Sequence, residues 1–389
     1  MKKKIFITNQ YMELGGVERS LIGLLDAIDY NKYEVDVFLH RHTGDLMPFI
    51  NPKANLLPEI KAYTTLTRPI KDIIKEGYWS IAFGRLKAKW RAKKYQGNKT
   101  NAAIFQYVAD ETTHLLPQIT SKSYDLAISF QQPHNLVCEK INAKKKIAWI
   151  HTDYSTVKID VKAELPIWDR FDAIASISDS SSEAFLSTFP KLADKIVVIE
   201  NMLSPEFVRQ QANLEVVNIE GEVKILTVGR FCYPKNIEGA VHICKALVKR
   251  GVPVKWYAIG YGDENPINKA IEACDMHNHF FILGKKANPY PYMKACDLYV
   301  QPSRYEGKAV TVREAQMLCK PVVITKFPTS SSQLKDGIDG IIVPMDIEQA
   351  ADAIKDLLEN QLKLESLIKN CQATNYGNLE DIEKLYNLI

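Results

Sequence analysis

Residues 3–40, KKIFITNQYMELGGVERSLIGLLDAIDYNKYEVDVFLH, decide the fold class of this chain. The apolar run Lys3–Asn9 predicts a β-strand, and the stretch 33–40 predicts a second strand. Between them, the segment 17–28 carries its apolar side chains at helical spacing. A strand, a helix and a second strand in succession form a βαβ unit, which predicts a parallel sheet.

The same alternation of strands and helices continues along the chain. The further strands that we predict are 124–130, 146–150, 173–178, 196–200, 224–228, 254–259, 280–283, 298–301, 321–325 and 340–343. The stretch 48–120 is mostly helical, whereas 203–222 lacks clear periodicity and contains a proline and a glycine, so it is our candidate linker. We therefore predict an α/β protein of two domains, because 389 residues exceed one ordinary core.

Composition excludes several classes of protein. Apolar residues make up 46% and charged residues 25% of the chain, which is typical of a soluble globular protein. The net charge of +4 is too small to indicate a nucleic-acid-binding protein. No segment is long and apolar enough to span a membrane, and the first apolar run is too short for a signal peptide. We expect a cytoplasmic protein whose seven cysteines are reduced and, lacking C-x-x-C spacing, bind no zinc.

The strongest candidate site is the stretch 302–315, PSRYEGKAVTVREA, which follows a predicted strand and runs into a helix. A glycine-containing loop before a helix presents backbone N–H groups and the positive end of the helix dipole, both of which suit phosphate oxygens. Glu306 could accept hydrogen bonds from a hexose, and Glu314 from a ribose diol. The alternative is two solvated glutamates beside an ordinary helix start. The backbone donors of this loop would be Gly307, Lys308, Ala309 and Val310.

A second candidate site is the stretch 228–236, VGRFCYPKN, which lies between another predicted strand and its helix. Arg230 and Lys235 bracket a short loop at the carboxyl edge of the sheet, where ligands bind in open α/β folds. Two cations there could neutralise a diphosphate. The alternative is a pair of surface cations without a ligand.

These two stretches resemble the retaining GT-B glycosyltransferases of the family 4 type, which include sucrose synthases and bacterial mannosyltransferases. Glu306 and Glu314 match the E-x7-E motif of that family, and the Gly-Arg and Lys-Asn pairs of 229–236 match its GR…KN segment. The resemblance implies two Rossmann-like domains that face each other across a cleft. Domain 1–203 would bind the acceptor, domain 204–370 would bind the nucleotide sugar, and 371–389 would pack back on the first domain.

The resemblance also implies roles for single residues. Glu306 would hold the donor sugar, Glu314 the nucleotide ribose, and Arg230 with Lys235 the diphosphate. Family members often have Phe-Gly where this chain has Lys308-Ala309, so Lys308 adds a cation beside the donor.

Two features of the N-terminal half fit the same resemblance. Gly15 and Gly16 resemble the glycine-rich loop after the first strand of the family, where the backbone approaches a phosphate or acceptor closely. A plain turn before an amphipathic helix is the alternative. His151 follows a predicted strand and corresponds to the histidine beside the reacting carbon of the donor sugar. A capping or core histidine is the alternative.

A basic run without acidic residues occupies 85–99, with Trp79, Phe83 and Trp90 nearby. Its cationic residues are Arg85, Lys87, Lys89, Arg91, Lys93, Lys94 and Lys99. Basic residues interleaved with aromatics suit an anionic membrane surface, which we expect at the inner face of the cell membrane. A solvated helix face is the alternative.

The sequence as a whole predicts a retaining glycosyltransferase that moves a sugar from a nucleotide diphosphate sugar to a glycan or lipid-linked acceptor, in cell-envelope or capsular polysaccharide synthesis. We expect no cofactor and no metal, because no D-x-D motif calls for one and Arg230 and Lys235 can take its place. Two alternatives remain open. One is a nucleotide-sugar epimerase or phosphorylase of related fold, and the other is a catalytically silent partner that binds sugar nucleotide.

Overall fold

The computed structural model describes residues 2–95, 100–307 and 309–389. The chain divides into two compact units, of which the first comprises Met1–Leu203 and Asn378–Ile389 and the second Ser204–Gly377. Each unit contains a parallel sheet with helices between its strands. The predicted α/β class is therefore confirmed.

The first unit alternates strands and helices from its start. Its strands are β1 (Lys3–Asn9), β2 (Tyr33–Leu39), β3 (Asn55–Leu56), β4 (Thr100–Asn101), β5 (Ser123–Ser129), β6 (Asn142–Ile150), β7 (Val157–Lys158), β8 (Ala173–Ser176) and β9 (Ile196–Val198). Its helices are α1 (Gly16–Ala27), α2 (Lys61–Thr64), α3 (Ile70–Lys75), α4 (Trp79–Ala92), α5 (Ala103–Thr112), α6 (Asn135–Lys140), α7 (Val161–Trp168) and α8 (Asp179–Thr188), together with the last helix of the chain, which ends near the C-terminus.

The main sheet of the first unit has the strand order β3-β2-β1-β5-β6-β8-β9, with every pair parallel. Strand β1 lies in the middle, and its residues Ile5, Phe6 and Ile7 are fully buried. A strand buried on both faces needs a continuous apolar run, which is why this short stretch could be recognised in the sequence. The strand order reverses at β1, between β2 and β5. Open α/β sheets bind ligands at the carboxyl edge beside such a reversal.

The second unit repeats the pattern. Its strands are β10 (Val223–Val228), β11 (Val254–Ile259), β12 (Phe280–Gly284), β13 (Leu298–Gln301), β14 (Val322–Thr325) and β15 (Ile341–Val343). Its helices are α9 (Pro205–Ala212), α10 (Ile237–Lys249), α11 (Asn265–Cys274), α12 (Tyr290–Ala295), α13 (Val310–Met317), α14 (Ile347–Glu359) and α15 (Gln361–Ala373).

The sheet of the second unit has the order β12-β11-β10-β13-β14-β15 and is also parallel throughout. Its core joins strand residues such as Ile225 and Trp256 to α10 and α14 through Val241 and Ile354. Strand β10 lies at the reversal of strand order, between β11 and β13. The loops that follow β10 and β13 therefore meet at the same carboxyl edge.

The predicted linker 203–222 is wrong in part, because residues Pro205–Ala212 form helix α9. Ser204 caps this helix by accepting a hydrogen bond from the amide of Phe207 at 3.2 Å. Proline is well suited to the first position of a helix, since its missing N–H would have no partner there. The proline that suggested a linker is thus a helix start.

The end of the chain belongs to the first unit. At the end of helix α16 (Ile382–Tyr386), the ring of Tyr386 stacks on Tyr33 with the ring centroids 4.4 Å apart. The amide of Asp29 donates a hydrogen bond to the hydroxyl of Tyr386 at 2.8 Å. These contacts fix the last residues beside the start of β2.

Candidate functional site

The loops after β10 and β13 are joined by hydrogen bonds at the point where strand order reverses. The Asn236 side-chain amide donates to the carbonyl of Pro302 at 2.9 Å, and the Arg304 amide donates to the carbonyl of Pro234 at 2.8 Å. Because the parent strands are neighbours, two stretches far apart in sequence form one continuous surface. The two candidate sites of the sequence are therefore one site.

An ion pair lies at the centre of this site. Nζ of Lys235 is 2.5 Å from Oε1 of Glu306, and the two side chains are only 18% and 8% exposed. The hydroxyl of Ser303 donates to the same carboxylate oxygen at 2.6 Å, and Nε2 of Gln301 lies 3.3 Å from it. A carboxylate with several donors and an adjacent cation is fixed in one orientation.

Gln301 organises the acidic side of the site, and the sequence reasoning missed it. Its side chain is fully buried at the end of β13, where its Oε1 accepts from the Tyr299 hydroxyl at 2.8 Å and its Nε2 donates to Ser303 at 2.8 Å. A buried amide must satisfy several donors and acceptors at once, so it fixes its neighbours. A polar residue that ends an apolar strand was the available signal.

The loop after Glu306 is held from one side by the segment after β14. The Thr329 hydroxyl donates to the Glu306 carbonyl at 2.7 Å, and Nε2 of Gln333 donates to the Gly307 carbonyl at 3.0 Å. The amide of Ala309, which we predicted to face phosphate, instead donates to Oε1 of Gln333 at 2.7 Å. A phosphate would thus have to compete with Gln333 for this amide.

The other predicted loop residues are placed as follows. Val310 is the first residue of α13 and is buried, and Lys308 lies outside the described residues. Glu314 is one turn further along α13 and only 1% exposed. The hydroxyl of Tyr290, at the start of α12, donates to Oε1 of Glu314 at 2.7 Å. Glu314 is therefore an oriented, buried acceptor and not a solvated glutamate.

The three cations of the site differ in their surroundings. Arg304 pairs with Glu238 at 2.9 Å and lies over the ring of Tyr233 at 4.3 Å. Its guanidinium therefore joins the loop after β13 to the segment after β10. Arg230 is exposed, and its side chain has no ion pair with any residue that the structure describes. Arg230 is therefore available to an anion, whereas Lys235 already has a carboxylate partner.

The turn Gly260-Tyr261-Gly262, after β11, packs against the loop after β10. A Cβ atom at Gly260 would lie 1.9 Å from the carbonyl oxygen of Gly229, and one at Gly262 would lie 2.3 Å from that of Phe231. Gly262 also has φ of +141°, which other residues rarely adopt. These glycines let the turn pack closely against the backbone of the loop after β10, which carries Arg230 and Lys235.

In the first unit, the glycine pair lies at the start of α1. Gly15 is its N-cap residue, and a Cβ atom there would be 2.2 Å from Oε2 of Glu18. Glu18 is buried, and its carboxylate lies beside the N-cap residue. A negative charge is favoured at this end of a helix. A Cβ atom at Gly16 would meet nothing within 4 Å. A side chain at Gly15 would thus have to displace the Glu18 carboxylate, whereas a Cβ atom at Gly16 would displace nothing that the structure describes.

His151 follows β6 and packs between aromatic rings. Its ring centroid is 4.6 Å from that of Phe130, and it stacks on Trp149 with an angle of 7° between the rings. Burial, together with the nearby His134, lowers the pKa of His151 to about 3, so the imidazole is neutral at physiological pH. Its Nε2 atom is buried without a hydrogen-bond partner in the part of the chain that the structure describes.

His151 is one of several such groups at the carboxyl edge of the first sheet. Buried polar atoms without a partner among the described residues follow four neighbouring strands: Oδ1 of Asn9 ends β1, Nδ1 of His40 follows β2, Oε1 of Gln131 follows β5 and Nε2 of His151 follows β6. Buried polar atoms normally have partners, so such a set at one edge suggests a ligand with hydroxyl or amide groups.

The described residues contain neither a cluster of metal-binding side chains nor a helix that could span a membrane. Across 2–95, 100–307 and 309–389, no group of three or more His, Cys, Asp or Glu side chains is arranged to hold a metal ion. Over the same ranges, no helix has the length and apolar character needed to cross a membrane.

Comparison with known proteins finds a family model that matches the second unit. Residues 209–374 match the model of the family described as Glycosyl transferases group 1. The alpha-D-kanosaminyltransferase of Streptomyces kanamyceticus is 28% identical over 150 residues, which are 38% of this chain and 39% of that protein.

A second relative is the N-acetylgalactosamine-N,N'-diacetylbacillosaminyl-diphospho-undecaprenol 4-alpha-N-acetylgalactosaminyltransferase of Campylobacter jejuni subsp. jejuni. It is 25% identical over 207 residues, which are 52% of this chain and 55% of that protein. The chain thus matches about half or less of the length of these two relatives.

A solved structure matches nearly the whole chain. The crystal structure of Anabaena Alr3699/HepE in complex with UDP-glucose has a TM-score of 0.67 and 16% identity, and the match covers 99% of both chains. At this identity the likeness establishes the fold. Together with the two parallel sheets, it confirms the predicted GT-B class.

Proposed function

We propose that this chain, which has the GT-B fold and a Glycosyl transferases group 1 match in its second unit, is a retaining glycosyltransferase that uses a nucleotide diphosphate sugar. The observation that carries the proposal is the meeting of Lys235, Glu306 and the start of α13 at the switch point of the second sheet. Cations, an oriented carboxylate and helix-end amides at one point suit a diphosphate joined to a sugar.

Each group of the second unit then has a role in binding the donor. Arg230 and Lys235 stabilise the negative charge that grows on the diphosphate as the bond from the anomeric carbon to phosphate oxygen breaks. Glu306, held by Ser303, accepts hydrogen bonds from the donor sugar. Glu314, held by Tyr290, accepts them from the ribose. We expect these cations to suffice without a metal ion.

Transfer with retention requires the acceptor oxygen to attack the same face that the diphosphate leaves. The acceptor proton passes to an oxygen of the departing phosphate, so no separate base is needed and the products are the glycoside and the nucleoside diphosphate. A neutral His151 cannot serve as a cation, but it can hydrogen-bond a sugar hydroxyl. The unpartnered polar atoms of the first unit support a role for that unit in binding the acceptor.

A glycan or a lipid-linked glycan is the acceptor class that we propose, with a role in cell-envelope or capsular polysaccharide synthesis. The Campylobacter relative is named for a diphospho-undecaprenol acceptor, and the Anabaena structure is a complex with UDP-glucose. These names support a nucleotide-sugar donor and a lipid-linked acceptor for this chain. We also propose peripheral contact with the inner face of the membrane.

The test begins with donor binding. Thermal shifts with UDP, GDP, ADP and TDP, and with their sugars, should show one nucleotide that stabilises the protein more than the rest. That nucleotide sugar and an undecaprenyl-linked or free glycan should then yield the nucleoside diphosphate and a glycoside. Equal shifts for all nucleotides would contradict a specific donor site.

Two variants connect the activity to the site. Arg230→Ala and Glu314→Ala should each lower kcat/KM while circular dichroism shows an intact fold. Full activity in both variants would contradict the proposal. Conversion of the donor sugar in the absence of any acceptor would identify an epimerase instead.

A further inference from the structure

Helix α4 presents large apolar side chains to solvent. Trp79, Phe83, Leu86 and Trp90 are 67%, 71%, 51% and 73% exposed. Steps of four, three and four residues place all of them on one face of the helix. We call these residues the aromatic stripe. A contiguous exposed apolar surface on a folded unit indicates an interaction surface.

The opposite face of α4 fixes this orientation. Its buried residues are small, and Ala88 and Ala92 pack with Ala103 and Tyr107 of α5. A Cβ atom at Gly84 would lie 2.7 Å from the carbonyl oxygen of Glu111. Because the backbones of α4 and α5 approach so closely, the bulky stripe cannot turn inward. The stripe is therefore exposed because the opposite face of α4 packs on α5, and not because the helix is frayed.

The basic residues of α4 and of the segment that follows it fall into two groups. Arg85 donates to the carbonyls of Thr65 and Arg68, and Arg91 pairs with Glu111 at 2.6 Å. These arginines, which the sequence suggested for membrane contact, instead hold the first unit together. Lys87 also reaches Glu111, at 2.8 Å, and Lys94 is 3.8 Å from Asp160. Lys99 lies outside the described residues.

Two lysines remain available. Lys89 and Lys93 are exposed and form no ion pair within the described part of the chain. On a helical projection of α4, Lys89 lies along one border of the stripe and Lys87 along the other, and Lys93 and Lys94 follow the end of the helix directly. No acidic residue occurs anywhere in 77–109. The stripe is thus an apolar band with positive borders.

We propose that α4 is an interfacial anchor that places the aromatic stripe among the headgroups of an anionic lipid bilayer. Trp and Phe prefer the boundary between headgroups and acyl chains, and lysines at the borders can meet lipid phosphates. A second copy of this chain is the poorer occupant, because a two-fold contact would bring lysine borders together without acidic partners. This inference rests on the membrane contact proposed above and names the element that makes it, but it does not depend on the transfer reaction.

The tryptophans provide a direct assay on the unmodified protein. Of the five, Trp149, Trp168 and Trp256 are 3%, 2% and 0% exposed, so Trp79 and Trp90 are the exposed pair. Vesicles of phosphatidylcholine with phosphatidylglycerol should shift the fluorescence to the blue, and brominated lipid should quench it. Vesicles of phosphatidylcholine alone should act more weakly. Absence of quenching by brominated anionic lipid would overturn the proposal.

Substitutions separate the apolar and charged contributions. Phe83→Ser with Leu86→Ser leaves both reporter tryptophans in place and should weaken vesicle binding by about tenfold or more. Lys89→Gln with Lys93→Gln should weaken binding to anionic vesicles and reduce its salt dependence. Leu362→Ser, at an 80% exposed leucine of the second unit, is the matched control and should bind as the parent does.

Other outcomes would contradict the anchor. Unchanged vesicle binding by the Phe83 and Leu86 double variant would exclude the stripe as the contact. A dimer in sedimentation without lipid, lost in that variant, would show that a second copy covers the stripe. Because no nucleotide sugar is present, failure of the transfer reaction would leave this test unaffected, and Arg230→Ala should bind vesicles normally.

Discussion

The ammonium of Lys235 lies 2.5 Å from Oε1 of Glu306, so the residues proposed to bind the diphosphate and the sugar contact each other. Glu306 also accepts from Ser303, which keeps the carboxylate in place when the lysine turns toward a phosphate. Donor binding therefore requires Lys235 to be shared between a carboxylate and a phosphate. This competition makes the two residues distinguishable by experiment.

Lys235→Met should weaken binding of the nucleoside diphosphate about tenfold, equivalent to about 1.4 kcal/mol, because a phosphate partner is lost. Glu306→Gln should leave that binding unchanged or tighten it, since the ammonium no longer has a carboxylate partner, while transfer from the nucleotide sugar falls. Calorimetric titration measures the first effect and product formation the second. Lys249→Met, at an exposed lysine of α10, is the control. Equal losses of nucleotide affinity in both site variants would contradict this division of roles.

Glu314 should determine whether the ribose hydroxyls are recognised. The parent protein should bind the nucleoside diphosphate more tightly than its 2′-deoxy and 3′-deoxy analogues, because a buried carboxylate accepts from the diol. Glu314→Gln should reduce this preference about tenfold, the effect of losing a hydrogen bond to a charged group. Tyr290→Phe, which removes the 2.7 Å hydrogen bond to Glu314, should reduce it less. A preference that is the same in all three proteins would exclude Glu314 from the ribose site.

Alanine substitutions at two glycines of α1 distinguish an effect on activity from an effect on stability. Gly16→Ala should change the free energy of unfolding by less than about 0.5 kcal/mol, because a Cβ atom there meets nothing within 4 Å. Gly23→Ala should lower it by about 1–3 kcal/mol, because its Cβ atom would lie 1.8 Å from the carbonyl oxygen of Met202. If a ligand approaches the glycine-rich loop, Gly16→Ala should lower transfer at an unchanged Tm. Full activity of Gly16→Ala would assign Gly16 to the turn alone.

Buried histidines should make the first unit sensitive to acid. Burial lowers the pKa of His40, His134 and His151 to about 3, below the 6.5 of a free histidine. Between these values the unfolded chain binds protons that the folded unit does not. Each histidine therefore removes about 1.4 kcal/mol of stability per pH unit as pH falls below about 6.5.

Urea unfolding of the parent protein and of His151→Gln, followed from pH 7 to pH 5, measures this effect. The variant should lose less stability over that range. Identical slopes would mean that His151 is protonated in the folded protein.

Glu164 should have the opposite effect on the pH dependence of stability, because it makes the first unit less stable as pH rises. Burial raises the pKa of this fully buried carboxyl to about 7 from about 4.5, although Tyr154 and Trp168 hydrogen-bond to it. The folded unit then holds a proton that the unfolded chain has lost. Its contribution to stability is complete below about pH 4.5 and is lost as pH rises to about 7, at about 1.4 kcal/mol per pH unit.

Glu164→Gln should abolish this loss, so the Tm of the first unit should rise more between pH 5 and pH 7 in the variant than in the parent, where Glu164 opposes the gain from the buried histidines. Glu183→Gln, at an exposed glutamate of α8, should behave as the parent does. An equal change of Tm in parent and Glu164→Gln would show that the carboxyl is ionised when folded.

Local sequence determined the secondary structure well, because the signals are themselves local. Strands β1, β11 and β13 have the predicted bounds, since each is a short apolar run buried on both faces. The helix α9 was missed because a proline can end one helix or start another, and only the Ser204 cap decides between these. The parallel α/β class followed from the alternation of such elements.

The sequence by itself thus determined the two α/β sheets and the stretches that lie at their carboxyl edges. Only the tertiary structure decided that Lys235 pairs with Glu306, because these residues are 71 positions apart and meet through the order of strands β10 and β13. It also decided that the aromatic stripe of α4 faces outward. Periodicity shows that a helix has an apolar face, but the close approach at Gly84 decides which face is buried.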